Sequence, residues 1–283
     1  MAARRNLIIL HMRSFQYHTQ NVFLALVFGL VTHLALPSPC AAELKLVVID
    51  PGHGGSNLGA PARFHPGRYE KYYTLLVSKW TAEHLRAAGV KVVLTREKDR
   101  DMSLKERVGL ANKLGADLFV SVHLNSTEKP GPSGHETFFL SLESTDEAAR
   151  RLATFENQEP CTVNRAAETT TPPDNAVADI LLDLTRNRSH ADAERLAALI
   201  QKRMIPKSPF KNRGVKQAPF VVLMGAAMPA VVTEIGFLNH YREGKYIISE
   251  KGMKSMAKGL AEGILDYGRL VHDPREMREG EHE

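Results

Sequence analysis

Residues 46–55 read LVVIDPGHGG, a continuous apolar run that leads directly into a glycine-rich loop containing His53. Two similar runs occur later in the chain, FVSV at 119–122 followed by His123 and AVVT at 230–233 followed by Glu234. Short runs of Val, Ile and Phe are typical of strands buried on both faces, which belong to parallel sheets covered by helices. Because ligands bind beyond the carboxyl ends of such strands, the sequence predicts that two imidazoles and a carboxylate meet at one edge of a sheet.

The segments between these runs predict helices that alternate with strands. This order indicates an α/β fold, a single domain with a mostly parallel twisted sheet covered by helices on both faces. The predicted elements after the first strand are a helix over residues 70–88, a strand over 90–95, a helix that begins at the capping box of Ser103 and Glu106, strands over 117–122 and 136–142, a helix over 191–204, strands at 220–224 and 230–234, and a last helix over 251–270.

Residues 144–189 break this alternation. We interpret them as a helical insertion within one domain that spans residues 43–271. The parts of the insertion are a helical pattern at 146–157, a stretch rich in Thr, Asn and Pro at 160–173, and a second apolar helix around 177–184.

The composition is typical of a globular protein, with 43% hydrophobic and 24% charged residues in a chain of 283. The net charge is +5, but Arg4, Arg5 and Arg13 lie in the first 42 residues, which contain no acidic residue. Without these three, 34 of the 37 basic residues remain against 32 acidic ones. This near balance gives no argument for nucleic-acid binding. The charged residues 272–283 are expected to form a disordered tail.

Residues 1–42 have the layout of a secretory signal peptide, with basic residues, an apolar stretch and small residues that end at Ala42. The alternative is a membrane anchor, but about 16 apolar residues are fewer than the roughly 20 that a spanning helix needs. We therefore expect cleavage after Ala42 and an exported, periplasmic protein. Export by the Sec or the twin-arginine route, and a start at Met1 or Met12, remain alternatives.

The residues at the predicted strand ends suit a divalent metal ion. A catalytic zinc site takes three protein ligands, and His53 and His123 supply two of them. Glu70 qualifies as the third because it opens the helix that follows the His53 loop. Glu234 then remains at the same edge as a base that accepts a proton from the attacking water. Spacing alone is a weak argument, since a lone His in a glycine-rich loop is more often structural.

Several motifs give the chain a specific resemblance to a known family. Between about residues 44 and 270 it resembles the zinc-dependent N-acetylmuramoyl-L-alanine amidases of the amidase_3 family. The motifs that carry the resemblance are VIDPGHGG at 48–55, GRYEK at 67–71, LTR at 94–96, the segment 107–112, FVSVHLNS at 119–126 and VTEIGFL at 232–238.

The resemblance implies one Zn²⁺ per chain held by His53, Glu70 and His123, with Glu234 as the catalytic base. It implies hydrolysis of the amide between N-acetylmuramic acid and L-alanine in peptidoglycan, for daughter-cell separation or wall remodelling by a monomer. Two alternatives remain: an exported zinc amidohydrolase with another amide substrate, or a non-catalytic wall-binding protein on the same fold. Arg96 and Asn125 are candidates for substrate binding, although each also suits a role in fixing its loop.

The insertion resembles the regulatory helix of the cell-division amidases, on the strength of AARRLA at 148–153, FEN at 155–157 and ILLDL at 180–184. In those enzymes a helix covers the zinc until an activator displaces it. The resemblance therefore implies autoinhibition by a carboxylate of the insert, with Glu156 as the first candidate and Glu147 as the second. It also implies a LytM-type activator protein. The alternative is a surface helical hairpin with solvated charges.

Overall fold

The computed structural model describes residues 44–126, 131–158 and 176–272. The strands are β1 (Leu46–Pro51), β2 (Lys91–Leu94), β3 (Leu118–Asn125), β4 (His135–Leu140), β5 (Asn212–Ala218) and β6 (Ala230–Phe237). The helices are α1 (Glu70–Ala87), α2 (Leu104–Leu114), α3 (Glu147–Glu156), α4 (Ala176–Met204), α5 (Tyr241–Ile247) and α6 (Glu250–His272).

The six strands form one sheet in the order β2-β1-β3-β6-β4-β5. Strands β2, β1, β3 and β6 are parallel, β4 runs antiparallel to β6, and β5 is parallel to β4. The predicted mostly parallel sheet is confirmed. Because β1, β3 and β6 are parallel and adjacent, their carboxyl ends lie at one edge of the sheet.

Helices cover both faces of the sheet, as the sequence predicts. Alternate residues of β1 point to opposite faces, so Val47 and Ile49 enter one apolar core while Val48 enters the other. The first core is completed by α1, α4 and α6, and the second by α2, α3 and the segment 220–223. Burial on both faces explains why the central strands read as continuous apolar runs.

The predicted strand at 220–224 is wrong. Residues Val221–Leu223 form a 3₁₀ turn, closed by hydrogen bonds from Leu223 N to Phe220 O and from Met224 N to Val221 O. Phe220 and Leu223 are buried against the sheet, so a short apolar run here marks a packed turn instead of a strand. Such runs do not distinguish the two by periodicity alone.

Strand β5 is missing from the sequence prediction. Its residues read NRGVKQA, which carry polar side chains because the strand lies at the edge of the sheet and, among the described strands, pairs with β4 alone. The insertion also differs in detail, since the two helices predicted around 177–184 and over 191–204 form the single helix α4. The predicted boundary at residue 189 therefore falls inside a helix.

Three predictions lie wholly or largely outside the described residues: the signal peptide at 1–42, the polar stretch at 160–173 and the tail, of which only His272 is described, as the last residue of α6. Within the described ranges, none of the helices combines the length and apolar character needed to cross a membrane.

Candidate metal and catalytic site

Two imidazoles and two carboxylates converge at the carboxyl edge of the sheet. His53 lies two residues beyond β1, His123 lies in β3, and Glu70 is the first residue of α1. Glu156, the last residue of α3, reaches the same point from the insertion. One donor atom from each of these four side chains lies within 4.8 Å of all the others, and all four side chains are buried.

The distances between these donor atoms suit a metal ion. His53 Nε2 lies 3.0 Å from Glu70 Oε2 and 3.4 Å from Glu156 Oε2. His123 Nδ1 lies 3.4 Å from Glu70 Oε1 and 3.0 Å from Glu156 Oε2. Ligands about 2.0–2.1 Å from a tetrahedral zinc are separated by about 3.3–3.4 Å, so the observed spacing is close to that of a zinc coordination shell.

Three of the donor atoms are buried without a hydrogen-bond partner among the described residues: His53 Nε2, His123 Nδ1 and Glu156 Oε2. Buried polar atoms are normally paired, because leaving them unpaired costs about 1–3 kcal/mol each. A bound cation satisfies all three at once. The donor set, with imidazole nitrogens and carboxylate oxygens, is also the set that zinc takes.

The electrostatics of the cluster also favour a cation. Burial opposes the charge on Glu70, but the adjacent His53 and His123 outweigh it and hold the Glu70 pKa below its usual range. Burial likewise lowers the imidazole pKa values, yet Glu70 and Glu156 raise both of them above the ordinary value. The carboxylates therefore attract positive charge to this point, which a divalent metal supplies more completely than protons.

The His53 loop fixes the orientation of the His53 ring. His53 has a left-handed backbone with φ of 60°, and its Nδ1 lies 2.9 Å from Asn57 Oδ1. Since an amide oxygen only accepts, Nδ1 donates this hydrogen bond and leaves the Nε2 lone pair facing the cluster. A hydrogen bond from the second ring nitrogen is the usual support for a metal-binding histidine.

Glu70 is held by two backbone amides. Its Oε1 accepts from Leu124 N at 2.7 Å, and its Oε2 accepts from Ala60 N at 2.9 Å. Leu124 follows His123 directly, so this bond connects two members of the cluster through β3. Charged hydrogen bonds of this kind fix a carboxylate firmly.

Two glycines leave room for the cluster. A Cβ at Gly52 would lie 2.5 Å from His123 Nε2, and a Cβ at Gly59 would lie 2.6 Å from His53 Cδ2 and 2.7 Å from Glu70 Oε2. Gly59 also has a φ of 68°, which disfavours other residues. The glycine-rich loop is therefore required by close packing around the donor side chains.

We expect the substitution Gly52→Ala to abolish stoichiometric metal binding, because the new methyl group displaces the His123 ring. The overlap is expected to lower the free energy of unfolding by about 1–3 kcal/mol. Gly109→Ala is the matched control, since a Cβ at this position in α2 meets nothing within 4 Å. Metal analysis and thermal unfolding of both variants check this. Full metal occupancy in Gly52→Ala would contradict the described packing.

Glu234 lies beside the cluster without belonging to it. It pairs in register with His123 of β3 on one side and with Glu136 of β4 on the other. Its side chain is completely buried, and neither oxygen has a hydrogen-bond partner among the residues described. Burial, together with the nearby carboxylates, raises the Glu234 pKa well above its usual range, as suits a proton acceptor.

This geometry agrees with the comparisons with known proteins. The family model described as N-acetylmuramoyl-L-alanine amidase (Amidase_3) matches residues 47–266. The chain belongs to this amidase family. It is 32% identical to N-acetylmuramoyl-L-alanine amidase AmiA of Escherichia coli over 224 residues, which are 79% of this chain and 76% of that protein.

Solved structures of amidases have the same fold. An N-acetylmuramoyl-L-alanine amidase from Clostridium difficile 630 matches with a TM-score of 0.58 at 29% identity, over 79% of this chain and 96% of that one. AmiC2 of Nostoc punctiforme also matches with a TM-score of 0.58 at 29% identity, over 80% and 97% of the two chains. The protein is therefore an enzyme, a peptidoglycan amidase that cleaves between N-acetylmuramic acid and L-alanine.

The two insert carboxylates of the amidase have different positions. Glu156 lies in the cluster and is only 8% exposed. Glu147 lies at the other end of α3, where it is exposed and pairs with Arg150 and Arg151. Of the two candidates for a blocking carboxylate, the geometry favours Glu156, because Glu147 lies nine positions earlier in the helix and its charge is paired at the surface.

Of the two roles that the sequence allows for Arg96, substrate binding and the fixing of its loop, the structure favours the second. Its side chain is 1% exposed, and its guanidinium donates to the backbone oxygens of Pro51, Gly52 and Lys71 at 2.8–3.0 Å. Arg96 therefore supports the His53 loop from inside the protein. Arg107 does the same through His53 O and through an ion pair with Asp50.

The side chain of Asn125 is buried and forms a hydrogen bond within the protein. It is 6% exposed, and its Nδ2 donates to Glu136 Oε1 at 3.1 Å. Of the two roles that the sequence allows, the structure favours the fixing of the loop. Glu136 is in turn paired with Arg213 and Lys216 through its second oxygen.

Proposed function

We propose that this amidase uses Zn²⁺ held by His53, Glu70 and His123, with Glu234 as its catalytic base. The observation that carries the proposal is the convergence of buried donor atoms that lack hydrogen-bond partners among the described residues. Zinc bound there supplies a Lewis acid, which polarises an amide carbonyl and makes a water more acidic.

The residues of the chain then have distinct tasks in amide hydrolysis. Glu234 accepts a proton from the attacking water and delivers it to the amide nitrogen as the bond to carbon breaks. The products are a muramoyl carboxylate and a free alanine amine. The burial of Glu234 beside His123, where no hydrogen bond from a described residue holds the charged form, supports this role.

We propose further that α3 holds the enzyme in an inhibited state. A catalytic zinc keeps one coordination position for water or substrate, and the Glu156 carboxylate lies where such a fourth ligand belongs. The residues of α3 that are fully buried in the core are the small Ala149 and Ala153, and Leu152 packs against the same core while only partly buried. Because three such side chains bury a modest apolar area, displacing the helix has a modest cost, as suits a reversible inhibitor.

Other parts of the proposal concern where the enzyme acts. The signal-peptide pattern of residues 1–42 supports export to the periplasm, where peptidoglycan is the substrate, for daughter-cell separation or wall remodelling.

A LytM-type activator that displaces α3 fits the modest packing of that helix and the 51% exposure of Phe155 beside Glu156.

The proposal predicts the products of wall digestion. Sacculi treated with the purified protein are expected to release free stem peptides with an N-terminal alanine, which mass spectrometry detects. A chelator is expected to stop the release, and added Zn²⁺ to restore it. Release of other amine or acetate products in place of stem peptides would indicate a different amidohydrolase, and chelator-resistant release would contradict the metal assignment.

A further inference from the structure

A second charged feature lies at the same edge of the sheet as the metal site, on the loop at residues 61–69 and on α5. Both segments expose cations, Arg63 and Arg68 on the loop and Arg242 and Lys245 on the helix. The loop contains no acidic residue, and the Glu243 of α5 is buried. Within the parts of the chain that the structure describes, none of these four cations forms an ion pair.

Aromatic rings lie among these cations. Phe64 and Tyr241 are in edge contact, with ring centroids 5.5 Å apart, and Tyr241 is 58% exposed. Lys245 Nζ lies 4.2 Å from the centroid of the Tyr241 ring, and Arg63 Cζ lies 5.6 Å from that of Phe64. We name this surface the basic–aromatic patch and define it as Arg63, Phe64, Arg68, Tyr241, Arg242 and Lys245.

The patch is built on a fixed backbone beside the catalytic residues. The loop is closed by a β-bridge between Pro61 and Tyr69 and leads directly into Glu70. Helix α5 begins shortly after β6, the strand that carries Glu234. The two segments touch, because a Cβ at Gly244 would lie 3.2 Å from Phe64 Cδ2. The patch therefore has a defined position next to the site of cleavage.

We propose that the basic–aromatic patch binds glycan strands from which the stem peptides have been removed. Hydrolysis adds water across the amide, so each cleavage leaves a carboxylate on the muramoyl group and an ammonium on the released peptide. An uncleaved muramoyl group has no charge at this position, whereas a stripped strand carries one carboxylate for each muramic acid. Arginine and lysine bind carboxylates, and exposed tyrosine offers an amphipathic surface for a sugar ring.

This binding keeps the enzyme on strands that it has already begun to cleave. The inference depends on the reaction of the amidase, which creates the charge that the patch recognises, but it does not depend on inhibition by α3. The complementarity is between exposed cations that form no ion pair with the described residues and a glycan backbone whose carboxylates appear only through the reaction.

The test measures the binding of the purified full-length protein to two labelled oligosaccharides of equal length. One is a soluble stripped glycan with free muramoyl carboxylates, and the other is a neutral chitooligosaccharide. The wild type is expected to bind the stripped glycan about tenfold more tightly, since surface charges contribute up to about 1 kcal/mol each. The preference is expected to fall as salt is raised, because exposed charges are screened.

Two patch variants and a matched control locate the effect. The double variant Arg63→Ala and Lys245→Ala is expected to weaken binding of the stripped glycan about tenfold. Tyr241→Ala is expected to weaken the binding of both oligosaccharides. The control removes two exposed lysines from the opposite edge of the sheet, Lys91 at the start of β2 and Lys113 in the last turn of α2. It changes net charge equally and is expected to leave binding unaltered.

Three results would overturn the proposal: unchanged binding by the patch variants, an equal loss in the control, or stronger binding to anionic phosphatidylglycerol vesicles than to stripped glycan. The assay uses a product with no cleavable amide and so does not require turnover. A protein that binds stripped strands but releases no stem peptides from sacculi would refute the proposed function and leave the patch assignment intact.

Discussion

Replacing Glu234 by Gln is expected to lower kcat by about 10²–10⁴-fold while the bound zinc is retained. The amide has the shape of the carboxyl group but does not accept the proton of the attacking water. Neither oxygen of Glu234 accepts a hydrogen bond from the described residues, so the exchange disturbs no partner. The donors His53, Glu70 and His123 are untouched, and zinc per chain should therefore equal that of the wild type.

The measurement is turnover of sacculi together with metal analysis of the same preparation. Glu243→Gln is the control, because it makes the same exchange at another buried carboxylate, whose oxygens accept from Gly134 N. Glu243 lies on α5 and is not a member of the donor cluster, so we expect this variant to keep its zinc and its kcat. Turnover by Glu234→Gln near the wild-type rate would falsify the assignment of Glu234 as the base.

The positions of the main site residues could be predicted because they follow from strand polarity. Val, Ile and Phe runs mark the parallel strands, and the residues that end β1, β3 and β6 have to meet at one edge. Glu70 could be added because the helix after a parallel strand begins at that same edge. The convergence of Glu156 followed from a resemblance, since nothing in the local pattern of α3 indicates what lies opposite its last residue.

The partners of these residues could not be predicted, because they depend on contacts between distant segments. Asn57 supports His53, but several polar residues in the loop are equally placed in sequence to do so. Glu136 becomes a neighbour of Glu234 only through the antiparallel pairing of β4 with β6. The roles of Arg96 and Asn125 depended on burial, which a lone charged or amide residue in a loop motif does not reveal.

Edge and insertion elements were the least predictable parts of the fold for a related reason. Strand β5 lacks the continuous apolar run that marks the central strands, since Lys216 and Arg213 contact Glu136 instead of a core. The apolar run at 220–224 has core contacts but no neighbouring strand to pair with. An apolar run in the sequence therefore predicts that a segment is buried, but it does not predict that the segment pairs as a strand.

Replacing Glu156 by Ala is expected to raise basal hydrolysis of sacculi about tenfold or more. If the open state is about 1–10% populated in the wild type, removal of the blocking carboxylate makes nearly all molecules competent, which sets this range. The substitution leaves Ala149 and Ala153 in the core, as well as the hydrogen bonds of Asn157 to Pro219 and Val221. The other contacts of α3 are therefore unchanged, and only the carboxylate that would bind the metal is lost.

This point variant is a more specific test of inhibition than removal of the whole insertion, because a deletion that ends at residue 189 would cut through α4. Glu147→Ala is the matched control on the same helix, since it removes only exposed pairs with Arg150 and Arg151, which contribute little to stability. Its basal rate should equal that of the wild type. If Glu156→Ala kept its zinc but hydrolysed sacculi no faster, the Glu156 carboxylate would not limit basal hydrolysis, and inhibition by this residue would have to be abandoned.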